Sequence, residues 1–423
     1  MGDLADEEHT PLLLLQQQQL LIGRLRKQRL AHKRRHLVIK YAFYASAVLF
    51  VLTVAFYLVS PVFVVRRPPI SADITGAPGF HCAGRWHSRS SRKPTSVHRL
   101  RPADIDVVAS MGDSLTSANG AMARSVFELI IEYRGRSFTG GCDLDYKHYV
   151  TIPNMLRYFN PKVTGCAEGN CWPYYQSCAN FDVAIPAEHT DKMDQQVPIL
   201  KRRMRKHLGD DSFHHDWKLV TIFIGGNDLC HYCENKKYYS AKSYASRVKK
   251  VVKQLRDAIP KVLVNLIAPP NVEIVSNMTD TFCKLAHTVA CGCLHSLPYG
   301  ELTMASIAYY EELQKFMTAP EFSGRDDFAV VVQPVSSGAM EAPVKPDGST
   351  DYSAFAPDCF HLSAKAHDGW GRAAWNNMLQ PVGHKTEYRN LTDLPFVHLL
   401  CPERNCPFIR TAENSRRCLA WTI

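Results

Sequence analysis

The sequence predicts an α/β domain built on a parallel sheet and tethered to a membrane by one N-terminal helix. Three observations carry this: apolar runs alternate with helical periods beyond residue 103, an uncharged stretch of 25 residues precedes them, and all 14 cysteines follow that stretch. At 423 residues and 46% hydrophobic content, the chain has apolar mass for one large core or two ordinary ones.

Residues 1–40 form a polar head with eight Lys/Arg against four acids, read as a cytosolic tail. In it, Glu8 stands four positions before the Leu12-Leu13 pair, the pattern of an endosomal or lysosomal sorting signal and equally an incidental part of a Leu/Gln-rich stretch. Residues 41–65, YAFYASAVLFVLTVAFYLVSPVFVV, are long enough as a helix to cross a hydrocarbon core of about 30 Å. A cleavable signal peptide has a shorter apolar region and a small-residue cleavage site, so this run reads as a transmembrane signal anchor. The Lys/Arg cluster before it should stay in the cytosol, although Arg66 and Arg67 dilute the asymmetry. The expected product is a single-pass type II protein of the endomembrane system with residues 66–423 lumenal or extracellular.

Residues 66–102 form a basic stalk, with eight Lys/Arg against Asp73. The net charge of +10 therefore sits on either side of residues 41–65 and leaves the remainder nearly neutral, which fits a membrane partner and excludes a nucleic-acid groove. An even cysteine count on one side of a membrane suggests disulfides in an oxidising compartment. Cys230, Cys233, Cys291 and Cys293 also have the spacing of a tetrahedral zinc site, but in a lumenal chain the disulfide reading is preferred, with the pairing open. The sequons at Asn277 and Asn390 fall on the same side and are candidate glycosylation sites.

Residues 103–423 read as one domain. Asp106–Ala109, Phe181–Ile185, Lys218–Gly225, Lys261–Ala268 and Phe328–Val335 read as buried strands. Between the third and fourth, Tyr244, Val248, Val251, Val252, Leu255 and Ile259 share one helical face, with Ser240 as N-cap and Pro260 as stop. Ser363–Leu379 reads as the last amphipathic helix of this pattern, and there is no internal repeat. Such alternation means a parallel sheet with helices on both faces.

In such sheets ligands bind at the carboxyl ends of the strands. In VVASMGDSLTSANGA, Ser114 follows the first strand and precedes a segment that looks helical. It is either a nucleophile at the sheet edge or, with Asp113, a plain helix cap. A nucleophilic serine needs a base and a group to hold that base. FAPDCFHLSAKAH supplies Asp358 three residues before His361, a spacing shared with surface ion pairs. An ester hydrolase also needs donors for the oxyanion. Gly225-Gly226-Asn227-Asp228 after the third strand offers the Asn227 amide, and RSFTGGCD offers the Gly141 N–H. Asp113 is read as a structural brace.

The blocks Gly112-Asp113-Ser114-Leu115, Gly141, Gly225-x-Asn227-Asp228 and Asp358-x-x-His361 resemble those of the GDSL, or SGNH, hydrolase superfamily. With TIPNMLRYFNPKVTG and LLCPERNCPFIRTAENS, the stretch from Arg101 to Cys418 resembles the repeat domain of the membrane-associated phospholipase B-like family. The resemblance implies a flavodoxin-like three-layer α/β/α sandwich. It also implies cleavage of phospholipid or lysophospholipid acyl esters through an acyl-enzyme, without metal or cofactor. Ser114 would be the nucleophile, His361 the base and Asp358 its orienting acid, with Ser114 N–H, Gly141 N–H and Asn227 as the oxyanion hole. Transfer of the acyl group to another hydroxyl, in place of water, stays open. So do a GDSL esterase acting on acetylated glycans or other neutral esters and a binding protein without turnover. Members of that family carry several repeats and a C-terminal anchor, whereas here one domain follows an N-terminal one. The cysteine-enriched segment CAEGNCWPYYQSCANFDVAIPAEHTDKM also departs from the pattern, which leaves chain and headgroup preference open.

Overall fold

A computed structural model describes residues 76–172, 177–335 and 337–420. The expected tail, the anchor over 41–65 and the first part of the stalk lie outside the described residues. Among the described residues no helix is long and apolar enough to cross a membrane.

Four strands, β1 (Val107–Gly112), β2 (Lys218–Phe223), β3 (Val262–Ile267) and β4 (Phe328–Gln333), form a parallel sheet in the order β1-β2-β3-β4. Val107 pairs with Lys218, Lys218 with Val262 and Val262 with Phe328. This register brings the carboxyl ends Gly112, Phe223, Ile267 and Gln333 into one row. Every strand residue is buried, as expected when both faces are covered.

Phe181–Ile185 does not form the expected strand. It runs along the outer side of β1, where Ser110 N–H donates to Phe181 O, Val183 N–H to Ser110 O and Ile185 N–H to Gly112 O. Thr164 takes the earlier part of the same edge, bonded to Asp106 and Val108. The run stays short because Pro186 follows it, Phe181 N–H goes to Gly165 O, and Gly112 N–H goes to the Gln196 side chain at 2.9 Å. On its outer side the carbonyls of Asp182 and Ala184 accept from the buried Arg134 guanidinium at 3.2 and 2.8 Å.

The helices are α1 (Ile152–Phe159), α2 (Gln196–His215), α3 (Gly226–Cys230), α4 (Ala241–Ala258), α5 (Thr281–Ala290), α6 (Glu301–Gln314), α7 (Ala364–Leu379) and α8 (Ala412–Ala420). In α4 the Ser240 hydroxyl accepts the Ser243 N–H, and Tyr244, Val248, Val251, Val252 and Leu255 are buried. Tyr244 stacks on Tyr309 of α6 with ring centroids 4.1 Å apart. In α7, capped by Ser363, Trp370 packs against Phe223 of β2 and Phe138 at 5.5 and 5.7 Å.

The basic stretch is packed onto the domain from Gly76 onward and does not stand off as a stalk. Val97 and Leu100 are fully buried, Cys82 is bonded to Cys401, and Trp217 donates its indole N–H to Pro94 O at 2.8 Å. Its charges are partly spent on the domain, Arg89 on Asp106 and Lys93 on Asp216.

All 14 cysteines pair: Cys82–Cys401, Cys142–Cys166, Cys171–Cys178, Cys230–Cys291, Cys233–Cys293, Cys283–Cys359 and Cys406–Cys418. The four cysteines with zinc-like spacing are thus bonded to one another across two parallel bridges, which removes them as thiolate ligands. Seven disulfides suit an oxidising, extracytoplasmic compartment.

Candidate active site

The first site loop begins where β1 stops. Gly112 has φ 155°, and a Cβ there would lie 2.0 Å from Phe223 O and 2.2 Å from Thr116 Oγ1, so only glycine lets the two loops close. Gln196 holds both sides of the Gly112 backbone, accepting its N–H at 2.9 Å and donating to its carbonyl at 2.7 Å. Thr116 Oγ1 donates to Phe223 O at 2.8 Å. The Asp113 carboxylate accepts the N–H groups of Leu115 and Gly225, tying the Ser114 turn to the Gly225–Asp228 loop.

The segment after Ser114 is a series of turns, not a helix. Asn119 N–H donates to Ser114 O, Ala118 takes φ 53° and Gly120 takes φ 68°. The Ser117 hydroxyl bonds the Asn119 side chain at 2.6 Å, and such local side-chain bonds compete with helix formation. Ser114 therefore caps no helix.

Ser114 Oγ lies 2.9 Å from His361 Nε2, and His361 Nδ1 lies 2.5 Å from Asp358 Oδ2. Asp358 Oδ1 accepts the N–H groups of Phe360 and His361 at 3.1 and 3.0 Å. His361 and Asp358 side chains are only 20% and 11% exposed, which sets the pair apart from a surface ion pair. Both sit on a turn closed by Ala356 N–H to His361 O and a bridge between Phe355 and Leu362. With Nδ1–H donated to Asp358, Nε2 is free to accept the Ser114 proton.

Burial alone would raise the Asp358 carboxyl, but the charge of His361 and the bonds from His361 and two backbone N–H groups outweigh it and hold it below its ordinary value. Burial alone would depress His361, yet attraction and hydrogen bonding to Asp358, with a contribution from Asp113, raise it above 6.5. Asp113 is pushed by burial to about 7, against the pull of its N–H donors and His361. A base must be neutral to take a proton, and a raised pKa keeps His361 protonated to higher pH. Ester-cleaving activity is thus expected to rise through a midpoint above pH 6.5 and to fall at least about 30-fold below its plateau by pH 5, which a kcat/KM profile from pH 4.5 to 9 measures.

The expected oxyanion donors are placed differently from one another. The Gly141 N–H is donated to Ser137 O at 2.8 Å, and a Cβ on Gly141 would meet the carbonyls of Arg134 and Gly135 at 2.5 Å. Asn227, in α3, gives one amide hydrogen to Glu188 O at 2.9 Å and keeps a second. Its neighbour Gly226 lies against Leu115, which would be 3.8 Å from an added Cβ. Asp228 is buried and accepts from Thr190 N–H and Oγ1 at 3.1 and 2.6 Å, holding the Glu188–Thr190 stretch against α3.

Asn277 and Asn390 are both exposed, and Asn390 also accepts the Thr392 N–H at 3.0 Å. Among the described residues no cluster of three or more His, Cys, Asp or Glu could hold a metal ion. Several supporting residues escape sequence reasoning. Gln196 lies 84 residues from Gly112 with no local signal. Arg134, in the quoted RSFTGGCD neighbourhood, is fully buried with Glu132 and Asp182. His367, which burial depresses to about 3, accepts the Phe138 N–H at 3.4 Å.

Residues 108–373 match the family described as GDSL-like lipase/acylhydrolase. The chain is 37% identical over 344 residues to "Phospholipase B1, membrane-associated" of Homo sapiens, covering 80% of this chain and 23% of that protein. It is 35% identical over 348 residues to the Mus musculus protein of the same name, covering 79% and 23%. This chain thus spans under a quarter of the length of these relatives. A phospholipase A1 crystal structure from Streptomyces albidoflavus NA297 aligns at 16% identity and TM-score 0.32 over 63% of this chain and 96% of that one, too slight a likeness to bear on the fold. By its family match, the chain belongs to the GDSL-like lipase/acylhydrolase family.

Proposed function

We propose that this protein is a membrane-tethered lumenal serine hydrolase of phospholipid or lysophospholipid acyl esters. The observation that carries the reading is the run Ser114–His361–Asp358 at 2.9 and 2.5 Å, at the carboxyl edge of the sheet. Ser114 Oγ attacks the ester carbonyl carbon while His361 Nε2 takes its proton, and Asp358 steadies the imidazolium. The Ser114 N–H and the second amide hydrogen of Asn227 meet the oxyanion. Gly141, with its N–H on Ser137, contributes by lacking a side chain where Arg134 and Gly135 pass. Collapse breaks the ester C–O bond, and the leaving alkoxide takes the proton from His361. Water activated by His361 then releases the fatty acid from Ser114; a lipid hydroxyl in its place would give transacylation.

A lipid acyl chain needs apolar surface beside the nucleophile. The turn Val126–Ile130 provides it, with Phe127 and Ile130 54% and 56% exposed. Leu129 packs on Gly120, as does Ala356 of the His361 turn, and the Leu129 carbonyl accepts from the Asn119 amide at 3.3 Å. Phe127→Ser with Ile130→Ser is expected to raise KM for a long-chain lysophospholipid about tenfold and to change that for a soluble acetyl ester far less. Equal KM changes for both substrates would remove this turn from acyl-chain binding.

The parallel sheet with its edge run outside β1 supports a flavodoxin-like three-layer sandwich, and the uncharged run 41–65 supports a type II anchor. The exposed Asn277 and Asn390 are the proposed glycan sites. The test is to incubate the full chain and Ser114→Ala with phospholipids, lysophospholipids and acetyl esters and to identify products by mass. Ser114-dependent fatty acid or acyl-lipid product supports the reading. Release from acetyl esters alone would turn it toward an esterase of acetylated glycans or other neutral esters.

A further inference from the structure

Between the acid and the base of the site stands Cys359, at φ 60°, a left-handed conformation uncommon for a residue with a side chain. Its N–H closes the turn onto Ala356 O at 2.9 Å. Two groups grip it from outside the turn, both on α5. Its sulfur is bonded to Cys283, and its carbonyl accepts the Nε2–H of His287 at 2.9 Å. Cys283 and His287 are one helical turn apart and are the buried residues of α5. His287 is fully buried, and its Nδ1 has no hydrogen-bond partner among the described residues. The ring is thus the Nε2–H tautomer, with the Cys359 carbonyl as its one hydrogen-bond acceptor. Both buried residues of this ten-residue helix thus hold Cys359, and the His287 ring also lies edge-on to Phe360 of the same turn at 6.4 Å.

We propose that Cys283 and His287 are positioning residues for the catalytic pair, holding Cys359 left-handed so that Asp358 and His361 stay in contact. The inference rests on the hydrolase reading above. The N–H groups of Phe360 and His361 that orient Asp358 directly follow Cys359, so their direction depends on its backbone angles. If Cys359 relaxes, Asp358 loses these donors and swings from His361. Burial of His361 is then opposed only by the weaker attraction of Asp113, and its pKa falls.

This effect separates positioning from bulk stability. Loss of folded protein lowers the activity plateau and leaves the pH midpoint of kcat/KM in place. Loss of the Asp358 contact lowers the plateau and moves the acidic midpoint to lower pH. The experiment compares the full chain with His287→Leu, His287→Gln and the double variant Cys283→Ala/Cys359→Ala, on one ester substrate from pH 4.5 to 9. His287→Leu and the double variant are expected to lose about tenfold or more in kcat and to shift the midpoint down by about half a unit or more. His287→Gln, whose amide can donate to the Cys359 carbonyl, is expected to restore both.

A lowered plateau with an unmoved midpoint in His287→Leu, or no recovery in His287→Gln, would overturn the proposal. If His287→Leu does not fold, the Cys283→Ala/Cys359→Ala midpoint decides on the same terms. Ser114→Ala runs alongside: retained hydrolysis there sinks the hydrolase reading itself, whereas its loss together with an unmoved midpoint sinks the positioning role alone.

Discussion

Ser114→Ala is expected to lower kcat for acyl-ester cleavage by at least about 10⁴-fold while the protein stays folded. In the proposed mechanism the hydroxyl is the atom that forms the new bond, and among the described residues it is Ser114 Oγ that bonds His361 Nε2. Ser114 is 9% exposed, and the described contact of its hydroxyl is with His361. The turn itself is held by Gln196, Thr116 and the Asp113 carboxylate, none of which the substitution touches. Stability is therefore expected to change by less than about 1 kcal/mol. The check is a melting curve beside the rate: a variant that melts normally and still turns over ester would remove Ser114 from the chemistry.

Asp358→Asn is expected to cost about 10³–10⁴-fold in kcat by a different route. The asparagine oxygen can keep the N–H bonds from Phe360 and His361, so the turn should persist. If so, the amide NH₂ faces His361 Nδ1 and favours the ring with its proton on Nε2, where it cannot accept from Ser114. The variant also removes the largest influence that raises His361, so burial pulls the pKa down. The residual activity should hold up to lower pH than wild type. The measurement is a pH–rate profile of both proteins; an unchanged acidic midpoint would show that Asp358 does not govern His361.

Much of this arrangement is written locally in the chain. The strands β2, β3 and β4 stand out because a sheet covered on both faces needs near-continuous apolar runs, and KLVTIF, VLVNLI and FAVVVQ are such runs. Asp358 and His361 are three residues apart, and the order of strand ends places Ser114 and Asn227 on the same edge. What the sequence hides is decided at a distance. Phe181–Ile185 has the apolar content of a strand, but the Gly112 N–H that would continue its ladder is taken by Gln196, 84 residues away. The helix after Ser114 loses to the bond from Ser117 to the Asn119 side chain and to that from Gly120 N–H to Ile131 O, which no periodicity reports. The basic stretch looks like a free stalk until Cys82 finds Cys401, a separation of 319 residues. Gly141 illustrates the same limit at one atom: its type is legible, but the acceptor its N–H takes, Ser137 O, is visible only in the fold.

The central claim is that a lipid acyl group passes through Ser114. Its most direct test is to mix the full chain with excess long-chain lysophospholipid, quench in acid within milliseconds to seconds, and measure the mass of the peptide carrying Ser114. The account predicts a mass increase of one acyl chain, located on Ser114, absent from Ser114→Ala and decaying as free fatty acid appears. Fatty-acid release at the wild-type rate from Ser114→Ala, or an acyl group found on another residue and none on Ser114, would contradict it.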